Sequence, residues 1–363
     1  MKKSLLALAV LGAFAGAAQA QSSVTIYGLI DQGIVRNSNI NAAGDSKMSV
    51  GAGTQSSRWG VTGTEDLGGG MKAFFRLEGQ IFADTGEIDS GTQMFKRAAN
   101  LGLAGNFGTV TLGRQTDPFY IAYASGDTRA SNLTGSSLQP YLRATATAVP
   151  LAGVEAGANM QQLWVNNAVS YTTPDFNGFK ATAYYAFGEV AGESSASKQQ
   201  GITANYAAGP LTANAGFVQH YNATGDKDGQ GYTVNGGYTF GPATVRASWS
   251  SFKDPNAANE VKFDIYGLSA LYAVSSTVDV SAGFYRLNDK SADAIKGDDV
   301  NMFGLEADYK LSKRTTLYAV YGRSSDGSIV GAQHSAGAGG TTFSAAEADK
   351  SQTVVGVGVR HTF

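Results

Sequence analysis

The sequence predicts an all-β chain, a 16-stranded antiparallel transmembrane β-barrel with an inward-folded third extracellular loop. Three observations lead there. Apolar residues recur at every second position along nearly the whole chain after residue 20. Seven short turns alternate with eight long polar connections. Beyond residue 20, no apolar run reaches the about 20 residues that a membrane-crossing helix needs.

Composition narrows the class. The 363 residues include 47 glycines without a G-X-Y period, so the chain is not collagen-like. Charged residues are only 15%, with 17 tyrosines and 18 phenylalanines, which argues against disorder. A net charge of −2 gives no reason to expect nucleic acid. The absence of cysteine removes disulfides and thiolate metal sites.

Residues 1–20, MKKSLLALAVLGAFAGAAQA, read as a secretory signal peptide. Lys2 and Lys3 form the basic start, Leu5 to Ala18 the apolar stretch, and Ala18-Gln19-Ala20 the cleavage site. Residues 21–363 are then the barrel.

The strands follow by parity. Val24, Ile26, Ile30 and Ile34 oppose Thr25, Tyr27 and Asp31. Met71, Ala73, Phe75, Leu77 and Ile81 oppose Lys72, Phe74, Arg76, Glu78 and Gln80. Val261, Phe263, Ile265 and Leu271 oppose Lys262, Asp264 and Tyr266. This is the strand period, and a helical stripe cannot sort residues strictly into odd and even.

The short turns are LGGG (67–70), GNFG (105–108), TPDFNG (173–178), AAGP (207–210), FGP (240–242), AVSST (273–277) and LSKR (311–314). The long connections are about 38–51, 84–93, 117–164, 189–198, 222–229, 253–260, 288–299 and 324–350. Short turns at one rim and long loops at the other suit a bacterial outer-membrane barrel. Closure is required, because lipid cannot satisfy an open sheet edge. About 16 strands leave room for an aqueous channel. The last stretch, VVGVGVRHTF, reads as the closing strand: Val355, Val357 and Val359 face lipid, and Phe363 sits at the periplasmic interface.

Five stretches resemble a known family. They are SSVTIYGLIDQGI, SRWGVTGTEDLGGGMKAFFRLE (57–78), LGLAGNFGTVTLGRQTDPF (101–119), NNAVSYTTPDFNGF (166–179) and the final VGVGVRHTF. In family order, they are similar to the general porins of Gram-negative bacteria, most closely the trimeric porins of beta-proteobacteria such as Burkholderia, Bordetella and Neisseria. The resemblance implies a homotrimer in the lipid and lipopolysaccharide of the outer membrane, passing ions and small hydrophilic solutes passively. It also implies a third loop folded into the channel, and a final phenylalanine, Phe363, read by the outer-membrane assembly machinery. It calls for no cofactor or metal. One position departs: members often carry an arginine two residues before the Asn166-Asn167 pair, where this chain has Trp164. Arg129 and Arg143 are the arginines that could compensate.

The third loop, 117–164, contains Tyr120, Tyr123 and Tyr141. A loop that long in a compact chain is usually functional, so it is expected to fold inward, an exposed surface loop being the alternative. Parity places Arg58, Lys72, Arg76, Lys96, Lys180, Arg246, Lys262 and Arg360 on the lumen face. The acids there are Asp31, Glu78, Asp264, Asp279, Glu306 and Asp308. Arg97 and Arg114 fall out of phase and need a bulge or a strand end to face inward. Asp117, Asp127 and Glu155 are the loop acids available to oppose the basic wall.

His220, His334 and His361 have no phased serine–acid partners, and there is no HExxH and no phosphate-binding loop. Enzymatic activity is not expected. The expected function is a general diffusion porin with weak anion preference. The alternatives are a substrate-specific channel of the same fold and a plugged barrel acting as a surface adhesin or scaffold.

Overall fold

A computed structural model describes residues 23–40, 43–89, 93–145, 163–257, 260–292, 299–325 and 351–363. Residues 1–20, Glu155 and His334 lie outside the described residues.

Sixteen long strands form the wall. They are β1 (Ser23–Asn37), β2 (Arg58–Gly68), β3 (Met71–Phe82), β4 (Ala98–Gly105), β5 (Gly108–Thr116), β6 (Trp164–Thr172), β7 (Phe179–Ala186) and β8 (Gln199–Ala208). Then come β9 (Leu211–Tyr221), β10 (Lys227–Phe240), β11 (Ala243–Asp254), β12 (Val261–Ala273), β13 (Val278–Asp289), β14 (Val300–Lys310), β15 (Thr315–Ser324) and β16 (Gln352–Thr362). Each pairs antiparallel with the next, and β16 pairs back onto β1 from Leu29↔Thr362 to Asn37↔Val354. Phe363 completes the seam, its N–H and carbonyl bonded to Gly28 at 3.1 Å each. A Cβ at Gly28 would stand 2.3 Å from the Phe363 ring, so only glycine fits there.

One face of the wall is apolar and uncovered. Val24, Ile26, Ile34, Leu101, Leu103, Leu112, Val355, Val357 and Val359 are 40% to 69% exposed. Such a band would aggregate in water, and a bilayer is the solvent that accepts it. The other face carries the buried polar residues, among them Asp31, Glu78, Asn235, Ser250, Ser269 and Glu306.

Two short strands, Lys47–Gly51 and Glu87–Ile88, lie inside connections read from sequence as irregular, and pair with β1 and β3. The connection expected over 222–229 is shorter than that, because β10 starts at Lys227 and pairs with Tyr221 past a bulge. In β12 the parity reading is corrected. Val261, Phe263 and Ile265 lie on the polar-lined face, fully buried, while Tyr266, Leu268 and Tyr272 are exposed on the other. Lys262 and Asp264 therefore share the outward register, where Lys290 Nζ pairs with Asp264 at 2.5 Å. The physical reason is a dry partner on the polar-lined face.

That partner is the segment after β5. It is not structureless: it contains α1 (Pro118–Ala124) and α2 (Leu138–Thr145). Asp117 caps α1 by accepting from Phe119 N at 2.8 Å, and Pro118 sits where a missing N–H costs nothing. The segment then follows the wall strand by strand. Asn235 of β10 donates to Ala122 O at 2.7 Å, and Arg246 of β11 to Ser125 O at 2.8 Å. Thr128 N donates to Ser269 of β12 at 3.0 Å, and Arg129 to Tyr285 of β13 at 3.2 Å. Asn132 donates to Glu306 of β14, and Leu133 N to Thr54 O at 2.8 Å, just before β2. All these wall side chains alternate with the exposed apolar ones.

Candidate functional site

Strands β1 to β4 bring together Tyr27, Arg58, Arg76, Glu78 and Arg97 on the polar face. Glu78 is the common acceptor. It receives Arg97 Nε at 2.6 Å, the Tyr27 hydroxyl at 2.8 Å, and Arg76. Arg76 also donates to the Tyr27 hydroxyl at 2.7 Å. Lys96 pairs with Asp89 at 2.8 Å. Arg97, out of phase by parity, sits just before β4, where the strand end turns it onto Glu78. Arg114 falls at a bulge between Gly113 and Gln115 and donates to Lys96 O and Asn166.

Arg58 differs from these cations. Its guanidinium donates to Ser56 O and Gln55 Oε1, both at 3.0 Å. It has no carboxylate partner among the described residues. Arg58, Lys96, Arg97 and Arg129 line one recess of about 350 Å³, whose other walls include Trp164, Tyr120 and Leu133. The Trp164 ring lies under two of these cations, with Arg97 at 5.1 Å and Lys96 at 5.6 Å from its centroid.

The remaining sequence candidates sit apart. Lys72 is exposed beside the β2–β3 turn, opposite Asp66 in the ladder. Asp31 is fully buried and accepts five hydrogen bonds. Asp117 and Asp127, expected to oppose the basic wall, are buried within the segment at 2% and 0% exposure. Asp127 is occupied by Ser137 N and Arg129 N, each at 2.9 Å. Burial pushes the Asp117 carboxyl up to about 6, against the lowering by hydrogen bonds from Tyr184, Phe119 N and Gln199. Of the two compensating arginines, Arg129 lines the recess and Arg143 lies over the Phe263 ring at 5.2 Å.

Further acids lie on the wall near the seam, on the β14 side of β1. Glu306 and Asp308 of β14 share Arg360 at 3.6 and 3.2 Å, and Asp279 of β13 pairs with Lys310 at 2.5 Å. Sequence reasoning missed the Trp164 stack and the role of Gln55 and Thr54 in holding cations. The Trp164 stack and the Thr54–Arg360 bond depend on contacts across the fold, while the Gln55–Arg58 bond spans three residues and carries no motif.

Comparison with known proteins fits this geometry. The description Gram-negative porin matches residues 7–328. The chain is 37% identical to outer membrane porin protein 32 of Delftia acidovorans, over 378 aligned positions covering all of both proteins. It is 30% identical to an outer membrane porin protein of Bordetella pertussis, again over the whole of both. Among solved structures, the anion-selective porin from Comamonas acidovorans superposes with a TM-score of 0.77 at 34% identity, covering 94% of this chain and all of that one.

Proposed function

The chain belongs to the Gram-negative porin family, and we propose that it is a general diffusion channel of the outer membrane whose weak preference for anions is set at the Arg58 recess. Residues 1–20 direct export, the chains assemble as homotrimers, and Phe363 serves the assembly machinery. The segment after β5 folds into the lumen and narrows it. Its hydrogen bonds to five strands in succession, all on the polar face, support this. A chain that touches so much of a closed ring on one face is most simply inside it.

Arg58 is the observation that carries the anion preference. Its neighbours Arg76 and Arg97 share the single Glu78 carboxylate, so that cluster adds one net positive charge beside it, and the segment's own acids Asp117 and Asp127 are buried. Exterior charges are screened beyond about 8 Å in physiological salt, so they count little. A charge on a confined, low-dielectric wall acts on every passing ion. The related Comamonas protein is described as anion-selective, which agrees.

The test is the reversal potential of one reconstituted channel in a KCl gradient. Wild type is expected to favour chloride modestly, and Arg58→Gln to move the potential towards cation preference. A wild-type channel that prefers potassium, with no shift in the variant, would end this reading. A second reading, a substrate-specific channel, is favoured by one feature: the recess joins four cations to Trp164 and Tyr120. Conductance saturating with one aromatic carboxylate would select it.

A further inference from the structure

Asp31 lies on the same face as the permeation candidates, yet it contacts no open space. Its carboxylate is fully buried in β1. Three consecutive backbone N–H groups converge on it: Gly53 at 3.1 Å, Thr54 at 3.1 Å and Gln55 at 2.8 Å. The Thr54 hydroxyl and the Tyr318 hydroxyl of β15 also donate to it. Successive N–H groups curled around one anion make a nest, and here the anion belongs to the chain itself. Gly53 is required for the approach, because a Cβ there would stand 2.6 Å from the Tyr318 hydroxyl.

What this nest holds gives it a consequence. The outward-turned carbonyls of the same residues are acceptors for the segment after β5. Gly53 O accepts from the Thr134 hydroxyl at 2.7 Å, and Thr54 O accepts from Leu133 N at 2.8 Å. The side chains meanwhile hold two wall cations. Gln55 Oε1 accepts from Arg58 at 3.0 Å, and Thr54 Oγ1 from Arg360 at 2.7 Å. One carboxylate thus orients a strip of backbone, and that strip fixes both the far end of the segment and the guanidinium of the recess.

We propose that Asp31 is a positioning residue for permeation, a latch that sets the width of the opening and the aim of Arg58 without meeting the solute. The proposal rests on the reading that the segment narrows the lumen. A carboxylate is suited to the role, because charged acceptors make shorter and stronger hydrogen bonds than neutral ones and one carboxylate can take several. An amide of the same shape would turn one end towards the N–H groups as a donor and loosen the strip.

Full-length Asp31→Asn and Thr134→Val channels in planar bilayers test this. Thr134→Val removes one of the segment's two hydrogen bonds to the strip, leaving Leu133 N on Thr54 O, and leaves the wall untouched. Both are expected to raise open-channel current noise, several-fold in Asp31→Asn and less in Thr134→Val, while the heat resistance of the assembled barrel holds. Only Asp31→Asn is expected to move the reversal potential towards cations, through Arg58. Hydrogen exchange of the peptide spanning 127–137 should quicken in both variants, which reads the docking independently of current. If Asp31→Asn fails to assemble, Thr134→Val decides alone. Wild-type noise and wild-type exchange overturn the proposal. Faster exchange with unchanged current overturns the claim that the latch sets the opening. If deletion of residues 125–145 also leaves conductance unchanged, the fault lies with the constricting segment instead.

Discussion

Strands β16 and β12 carry the same kind of pattern and put it to opposite use. In β16, Val355, Val357 and Val359 are 47%, 57% and 40% exposed. In β12, Val261, Phe263 and Ile265 are 4%, 0% and 2% exposed. Both runs alternate apolar residues with others, and both are in an antiparallel wall. The β16 valines alternate with Gly356 and Gly358, which leave no doubt about the greasy face. In β12 the second register also carries apolar residues, Tyr266, Leu268 and Tyr272, and these are the exposed ones. Period two says which residues share a face. It does not say which solvent that face meets, and where the segment-covered face is dry both faces are apolar.

The largest effect that would sharpen this contrast is a charge on the lipid side. Val357→Arg sits at the middle of β16, where an arginine costs about 2–4 kcal/mol in a bilayer. Folded yield in lipid vesicles is expected to collapse. Normal insertion of the variant would show that the valine face meets something other than lipid.

Much of the fold was legible because a barrel repeats its signals. Seven turns and the closing strand were readable from period and turn residues, five of the turns carrying glycine or proline. The helices α1 and α2 were not, since their apolar residues pair with a distant wall rather than with a local stripe. Phe119 meets Phe252, 133 residues later, with ring centroids 6.0 Å apart. The candidate site was legible in part. Parity brought Arg58, Arg76 and Glu78 to one face, and the phase break flagged Arg97. It could not tell that Asp31, on the same face, would be buried beneath a returning strip of backbone. Nor could it show that Asp117 caps a helix.

The buried acid of the segment gives a second test, smaller in expectation. Asp117 is surrounded by Tyr184 of β7, Gln199 of β8 and Tyr141 of α2, with no cation among the groups that shift it. Burial raises its carboxyl from 3.8 to about 6. A raised acid keeps its proton in the fold after the unfolded chain has lost it. The stabilisation is therefore complete below pH about 3.8 and is lost as pH rises through about 6, by at most roughly 3 kcal/mol. Current noise from a loosened segment should be lower at pH 4.5 than at pH 7.5, and Asp117→Asn should flatten that difference. An unchanged pH profile in the variant would assign the effect to another group.

The smallest expected effect probes the segment-covered face directly. Phe252 of β11 is fully buried against Phe119, Tyr123 and Tyr141, with centroids at 6.0, 6.2 and 5.6 Å. Edge-on aromatic pairs add about 0.5–1.5 kcal/mol each beyond burial, and their losses do not sum. Phe252→Leu keeps most of the apolar volume and removes the ring pairs, so a loss of about 1–2 kcal/mol is expected. That loss should fall on the segment and not on the ladder. The wall's hydrogen bonds run through backbone atoms that the substitution leaves alone: Phe252 pairs with Gly231 and Phe263 by its main chain. Local opening of α1 and α2 should therefore become easier, with quicker exchange in peptides from 118–145, while the heat resistance of the barrel stays unchanged. If barrel and segment weaken together, the segment-covered apolar face is part of one cooperative unit with the wall. The division between a lipid-facing strand such as β16 and a segment-facing one such as β12 would then be one of location only, with no difference in what each supports.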